Sequence, residues 1–68
     1  MKLTIEEEGL ISSFDHASRK AAIADIWKHM ARCADRELYR DLCRVLEKLK
    51  RMSDREFSRI DFTIFGGD

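Results

Sequence analysis

Hydrophobic side chains recur at helical spacing in the second half of the chain. The apolar positions follow one another at intervals of 4, 3, 4 and 3 residues: Leu38, Leu42, Val45, Leu49 and Met52. At 100° per residue, these intervals keep one apolar stripe on one side of a helix. The pattern predicts a helix from about 36 to 51, with Asp35 as its N-cap. It is the strongest periodic signal in the sequence.

A second amphipathic helix precedes this one. Its apolar positions share one side at helical spacing: Ile23, Ile26, Trp27, Met30 and Ala34. Asp15 or Ser18 provides the N-cap, and we prefer Ser18, so the helix is predicted from about 19 to 33. A break at Ala34-Asp35 then lets the two helices pair as an antiparallel hairpin. The pattern places Trp27 in the core.

Two capping boxes predict short helices on either side of the hairpin. In this motif a Ser or Thr and a Glu three residues later satisfy each other's backbone N–H groups. The boxes are formed by Thr4 with Glu7 and by Ser53 with Glu56. The inward apolar residues are Leu10, Ile11 and Phe14 in the first short helix and Phe57 and Ile60 in the last.

These four predicted helices define an all-α fold. We expect a small helical bundle whose central antiparallel helical hairpin is flanked by a short N-terminal and a short C-terminal helix. The chain is predicted to be a single domain over 1–68, with an ordered core at about 3–62. Residues 61–65 alternate weakly and are β-prone, and 63–68 are predicted to form a loose tail, frayed at its last three residues.

Composition limits the class of protein further. A chain of 68 residues with 44% hydrophobic side chains and zero net charge has the composition of one small folded domain. Enzymes built on two domains or on a large barrel do not fit this length. No apolar run approaches the roughly 20 residues of a membrane-spanning helix, and three glutamates occupy the place of an apolar signal-peptide segment. We therefore expect no membrane segment and a cytoplasmic protein.

The residues that could carry chemistry form no recognisable motif. His29 and Cys33 are four residues apart, but no C-x-x-C or H-x-x-x-H pair accompanies them, and a structural zinc site needs four ligands. Ser12 and Ser13 precede His16, but neither lies in a nucleophile elbow. We therefore predict no catalytic residue, no cofactor and no metal ion, and hence no enzyme.

The neutral total conceals an uneven distribution of charge. Residues 1–17 carry one positive and four negative charges, 18–52 carry ten and five, and 53–68 carry two and four, which gives −3, +5 and −2. The basic residues that could track phosphates lie on the second and third helices: Lys28, Arg32, Arg36, Arg40, Arg44 and Lys48. Because Glu37, Asp41 and Glu47 are interleaved with this row, nucleic-acid binding is the alternative interpretation and not the preferred one.

Large apolar residues beyond the needs of a small core indicate a protein-interaction surface. Aromatic residues concentrate in binding hot spots, and the candidates are Trp27, Tyr39, Phe57, Phe62, Ile64 and Phe65. For Trp27 the core is preferred, so the candidates kept for partner contact are Phe62, Ile64 and Phe65. A place in the domain's own core is the competing interpretation for each of them. The apolar stripe of the third helix is about what one bundle requires, so a monomer is slightly favoured over a homodimer.

Fragments spread along the chain resemble one known family. They are Leu3-Thr4-Ile5-Glu6-Glu7, Leu10-Ile11, Phe14, Ser18-Arg19, Ile23, Ile26, Asp35-Arg36-Glu37-Leu38, Lys48-Leu49, Met52-Ser53-Asp54-Arg55-Glu56-Phe57 and Ile60-Asp61-Phe62. In this order, over residues 3–62, the sequence resembles the small transposon-transfer assisting proteins found in conjugative elements of Clostridia and related Firmicutes. Phe14 and Ala17 stand where relatives are expected to carry Tyr and Gly.

The resemblance implies a small helical accessory protein of an integrative and conjugative element, with no catalytic residues to transfer. Ser18-Arg19 is its most distinctive polar pair. Because Ser18 is already explained as an N-cap, Arg19 is the candidate for a partner contact. We predict a non-enzymatic protein that assists transfer through contacts with the element's transfer or replication proteins. A DNA-binding accessory or regulatory role, using the basic face of the second and third helices, is the alternative.

Overall fold

The computed structural model describes residues 2–66, and the regular structure in this range is helical. Five helices follow one another along the chain: α1 (Ile5–Ser12), α2 (Arg19–Met30), α3 (Arg36–Arg51), α4 (Asp54–Ser58) and α5 (Thr63–Gly66). The predicted all-α fold is confirmed, and α2 and α3 pack together as the central pair. Among residues 2–66, no helix combines the length and the hydrophobicity that crossing a bilayer requires.

The predicted helix starts are confirmed by their caps. The Thr4 hydroxyl accepts a hydrogen bond from the Glu7 backbone N–H at 3.1 Å, and the Glu7 carboxylate accepts one from the Thr4 N–H at 2.9 Å. Ser53 and Glu56 form the same reciprocal pair at the start of α4. Ser18 caps α2, as preferred over Asp15. These local hydrogen bonds satisfy backbone donors that a helix start otherwise leaves unpaired.

The core lies between α2 and α3 and is closed by α1 and α4. From α3 it receives Leu42, Val45, Leu46 and Leu49; from α2 Ala22, Ile26 and Met30; and from the flanking segments Ile11, Met52 and Phe57. Of the predicted stripe on α3, Leu42, Val45 and Leu49 are buried and Leu38 is half-buried. Of the two residues predicted to widen the stripe, Leu46 is buried and Tyr39 is 45% exposed. Each fully buried large aliphatic side chain contributes about 1.5–3 kcal/mol relative to an exposed one, so this stripe is the main source of stability.

The prediction that Trp27 lies in the core is wrong, because its side chain is 53% exposed. The buried side of α2 is formed by Ala22, Ile26 and Met30. At 100° per residue these positions span about 80° of the helix, and the centre of that arc lies about 100° from Trp27. The indole therefore lies outside the buried arc of α2.

The predicted end of the second helix is also wrong. α2 ends at Met30 and not at Cys33. After the C-cap residue Ala31, the backbone N–H groups of Arg32 and Cys33 donate to carbonyls three residues back at 3.0 and 3.2 Å. This tighter i→i−3 pattern marks a turn in which the α-helix has already stopped.

The C-terminal segment differs from the weak β alternation predicted for 61–65. It forms the helical turn α5 instead, and this turn packs on α1. A Cβ atom placed on Gly9 would lie 3.3 Å from Cε1 of Phe65, so the glycine leaves room for the ring. Residues 67 and 68 of the predicted loose tail lie outside the described residues, and the looseness of 63–68 stays a prediction.

Candidate interaction surfaces

Arg19 joins three helices through two hydrogen bonds. Its Nε donates to Oδ1 of Asp54 at 2.8 Å, and its Nη1 donates to the backbone carbonyl of Leu49 at 2.9 Å. The Leu49 carbonyl belongs to the last turn of α3, where carbonyls lack a partner within the helix. Arg19 therefore has a structural role inside the protein, in addition to its prediction as a partner contact.

A shallow groove beside Arg19 separates the start of α2 from α4. It is also lined by Phe62, which is half-buried. The ring of Phe62 lies 5.6 Å from that of Phe57 and 4.8 Å from that of His16, measured between centroids. The structure thus brings together two predicted contact residues, Arg19 and Phe62, and ties both to neighbouring side chains.

The other two predicted contact residues lie on α5. Ile64 is 65% exposed, whereas the half-buried ring of Phe65 covers Gly9 of α1. Neither residue lines the groove beside Arg19. Of the four predicted partner contacts, Ile64 is therefore the one whose side chain is mainly free for a partner.

Two exposed aromatic residues lie on the hairpin, Trp27 on α2 and Tyr39 on α3, and together with Cys43 and Lys50 we call them the hairpin face. On α3, Tyr39, Cys43 and Lys50 fall within about 40° of one another at 100° per residue. Nζ of Lys50 lies 5.5 Å from the centroid of the Trp27 ring, and this cation–π contact connects Lys50 of α3 to α2. Tyr39 is 45% exposed, so both aromatic residues present large surfaces to solvent.

Five of the six basic residues predicted for nucleic-acid contact line three separate depressions. Lys28 and Arg32 line a depression between α2 and α1. Arg36 and Arg40 line a separate groove at the start of α3. Arg44 lies in a third depression, beside Glu6, Glu7 and Asp41. Lys28 with Arg32 and Arg36 with Arg40 therefore form two pairs, whereas, within residues 2–66, Arg44 is the one basic residue that lines the third depression.

The sixth basic residue, Lys48, is held by an acidic partner. Its Nζ lies 2.6 Å from Oε1 of Glu7, and both side chains are about four-fifths buried. Burial of the Glu7 carboxyl raises its pKa, but the hydrogen bonds from Lys48 and from the Thr4 backbone outweigh this effect and hold the pKa below its ordinary value of 4.5. This pair fastens α1 to α3, so Lys48 has a structural role.

The candidate chemical groups are also accounted for by local contacts. The Ser12 hydroxyl donates to the Gly9 carbonyl at 2.6 Å, and Nδ1 of His16 lies 2.8 Å from the Phe14 carbonyl oxygen. Both cysteines are free thiols. In the described range 2–66, no three His, Cys, Asp or Glu side chains are grouped so that they could hold a metal ion.

Sequence reasoning named Trp27 and Tyr39 among the interaction candidates but preferred the core for Trp27, and it missed both long-range ion pairs. Arg19 and Asp54 are 35 residues apart, and Glu7 and Lys48 are 41 apart, so no local pattern reports them. The opposite signs of the chain's acidic ends and basic centre were the available signal.

The fold and these surfaces define a small all-α protein with exposed aromatic residues along its central hairpin. A family model described as "Putative transposon-transfer assisting protein" matches residues 3–64, which is nearly the whole chain, so the protein belongs to this family. The description denotes an assisting protein and not an enzyme. No curated protein and no solved structure shows a significant match to the chain.

Proposed function

We propose that this chain is a non-enzymatic accessory protein of a conjugative transposon or integrative element, and that it assists transfer through protein–protein contacts in the cytoplasm. Its family membership supports the setting, since the family description names an assisting role in transposon transfer. The partner is a transfer or replication protein of the same element. The hairpin face provides the main contact, and Ile64 is an additional candidate.

The exposure of Trp27 and Tyr39 carries this proposal. Both side chains are about half exposed, while the core is completed by residues such as Ile26 and Leu42 that are fully buried. Trp and Tyr are the side chains most enriched in binding hot spots, because they bury a large area at a small cost in conformational entropy. A fold that does not need these two aromatic residues for its core leaves them available to a partner.

A binding assay with single substitutions tests the proposal. The chain is immobilised, and each purified transfer or replication protein of the element is passed over it at low and moderate salt. Trp27→Ala or Tyr39→Ala is expected to weaken retention of the partner at least about tenfold, as for a hot-spot residue. Ile5→Ala is the matched control, because Ile5 is an apolar side chain on α1 with 69% exposure.

Two results contradict the proposal. One is that none of the element's proteins is retained at low salt. The other is that Ile5→Ala weakens retention as much as Trp27→Ala, since binding would then not depend on the hairpin face. Far-UV circular dichroism of each variant shows whether its helices are intact, which separates lost contacts from lost fold.

Nucleic-acid binding is the second candidate function. In its favour, Arg36, Arg40 and Arg44 are exposed and form no salt bridge within residues 2–66. A gel-shift titration at two salt concentrations tests it, because phosphate contacts make affinity fall steeply with salt. The double substitution of Arg40 and Arg44 by glutamate abolishes the shift under this hypothesis, whereas Lys20→Glu on α2 reduces it only weakly. Absence of a shift at low salt excludes it.

A further inference from the structure

A groove at the turn of the hairpin combines charge, an aromatic ring and two thiols. It lies where the chain passes from the end of α2 into the first two turns of α3. The residues that matter for its chemistry are Cys33, Asp35, Arg36, Tyr39, Arg40 and Cys43. The groove is thus one end of the hairpin face, extended by two arginines.

Two basic side chains and one acidic side chain line the groove, which gives it one net positive charge, while the exposed Glu37 and Asp41 adjoin the arginines in the chain without lining the groove. Arg36 and Arg40 are one helical turn apart, both are exposed, and neither forms a salt bridge within the described part of the chain. The acidic residue of the groove, Asp35, is already used as the N-cap of α3: its Oδ1 accepts hydrogen bonds from the next turn's N–H groups at 2.9 and 3.2 Å. Its negative charge is therefore turned toward the helix start, where the macrodipole is positive.

The side chains of the groove favour a peptide over a nucleic-acid backbone. Tyr39 offers a ring beside the two guanidinium groups, which together fit an apolar side chain flanked by carboxylates. A phosphate backbone would need a longer basic row along α3. That row is interrupted, because Lys48 is paired with Glu7 and the exposed Glu47 lies 3.6 Å from Arg51.

We propose that this groove binds an acidic segment of a protein partner. Carboxylates of the segment pair with Arg36 and Arg40, and an apolar side chain packs on Tyr39. The inference rests on the proposed function and adds the chemistry of the partner. A planar guanidinium can hold a carboxylate by two parallel hydrogen bonds, so two arginines one turn apart also impose a direction on the bound segment.

The two cysteines allow the positive potential to be measured without any partner. Each thiolate displaces iodide from iodoacetate, which is anionic, or from iodoacetamide, which is neutral, and the two products are distinguished by mass spectrometry. At Cys43, the rate with iodoacetate divided by the rate with iodoacetamide is expected to be about 2- to 5-fold higher in the folded chain than in the same chain in urea, because positive charge attracts the anionic reagent. In the Arg36→Gln/Arg40→Gln variant it falls to the value in urea, and in the control Lys20→Gln it does not.

Protection of the same thiols tests the bound segment. The probe is a blocked synthetic hexapeptide with two glutamates on each side of a leucine pair, and the matched peptide carries glutamines instead. We expect the glutamate peptide to slow iodoacetamide labelling of Cys43 in a saturable manner. Its binding to the Arg36→Gln/Arg40→Gln variant should be about 2- to 5-fold weaker. The glutamine peptide is expected to give little protection.

Several outcomes overturn the inference. The first is equal protection of Cys43 by the two peptides. The second is protection by a DNA oligonucleotide where the glutamate peptide gives none. The third is protection that rises with the concentration of the chain alone, which would assign the groove to a second copy. These results are separable from the partner assay on the hairpin face. If a transfer protein is retained but the glutamate peptide gives no protection, only the proposal that the groove binds an acidic segment is refuted. If the peptide protects Cys43 but no transfer protein is retained, the proposed transfer partner is refuted and the groove's preference for acidic peptides stands.

Discussion

Replacing Arg19 by alanine is expected to be among the most damaging changes at a position outside the core. The side chain donates from Nε to Asp54 at 2.8 Å and from Nη1 to the Leu49 carbonyl at 2.9 Å, and it is 20% exposed. Arg19→Ala removes both donors at once. It also leaves the half-buried Leu49 carbonyl, in the last turn of α3, without its hydrogen-bond donor.

The two interactions differ in magnitude. The Asp54 side chain is 74% exposed, so water screens the ion pair, and it contributes about 0.2–1 kcal/mol. A hydrogen bond from a charged donor to a half-buried carbonyl contributes about 1.5–3 kcal/mol. Loss of both is expected to lower the free energy of unfolding by about 2–4 kcal/mol. For a chain of 68 residues the total is about 3–10 kcal/mol, so this loss is a large fraction of it.

Urea unfolding followed by far-UV circular dichroism measures these differences. Asp54→Ala is expected to cost less than about 1 kcal/mol, because it removes only the screened ion pair. Lys20→Ala, at the exposed neighbouring position, should stay within about 0.5 kcal/mol of the original chain. If Arg19→Ala costs no more than Lys20→Ala, the link between α2 and the end of α3 does not stabilise the fold. If Asp54→Ala costs as much as Arg19→Ala, the ion pair and not the carbonyl is the main term.

Three further predictions concern α1, α2 and the C-terminal turn. The pKa of Glu7 is lowered in the folded state, so its carboxylate stabilises the fold above pH 4.5. This contribution is lost as the pH falls through the folded pKa. Glu7→Gln should therefore cost about 1 kcal/mol at pH 7 and flatten the acid limb of a stability–pH profile. Gly9→Ala should raise the free energy of unfolding by less than the helix-propensity value of about 1 kcal/mol, because the Phe65 ring must move to make room for the methyl group. In the background Phe65→Ala the same substitution should give the full value, and a double-mutant cycle in urea measures the difference. Ile26→Ala should cost about 2–5 kcal/mol in thermal or urea unfolding, whereas Trp27→Ala should cost less than about 1 kcal/mol, and similar costs for the two would contradict the exposed position of the indole.

Helix starts were predictable because their signals are local. Thr4 and Glu7 are three residues apart, and their mutual hydrogen bonds depend on little besides the helix that they begin. The same holds for Ser53 with Glu56 and for Asp35 before α3. Helix ends carry weaker signals in a chain without proline, so the tightening of α2 after Met30 was not visible in the pattern.

Residue placement around α2 was not predictable from hydrophobicity alone. Trp27 and Ile23 shift the apolar centre of α2 away from the packed face, which is formed by Ala22, Ile26 and Met30. Ala22 is fully buried at that face, and its small side chain adds little to any hydrophobic pattern. Trp27 was therefore assigned to the core and not to the interaction surface. The ring contact that places Phe65 on Gly9 was likewise outside the reach of sequence periodicity.

The ion pairs that join the acidic ends of the chain to its basic centre leave Arg36 and Arg40 at the turn of the hairpin without a salt bridge within residues 2–66. The acidic N-terminal segment is joined to the basic centre by Glu7 and Lys48, and the acidic C-terminal segment by Asp54 and Arg19. Both ion pairs fall beside the C-terminal half of α3. Arg36 lies about 18 Å from Lys48 along the α3 axis, at 1.5 Å per residue, so neither ion pair reaches the hairpin turn. A partner that docks at this turn meets uncommitted positive charge and an exposed aromatic ring, and it binds there without breaking the interactions that hold the four main helices together.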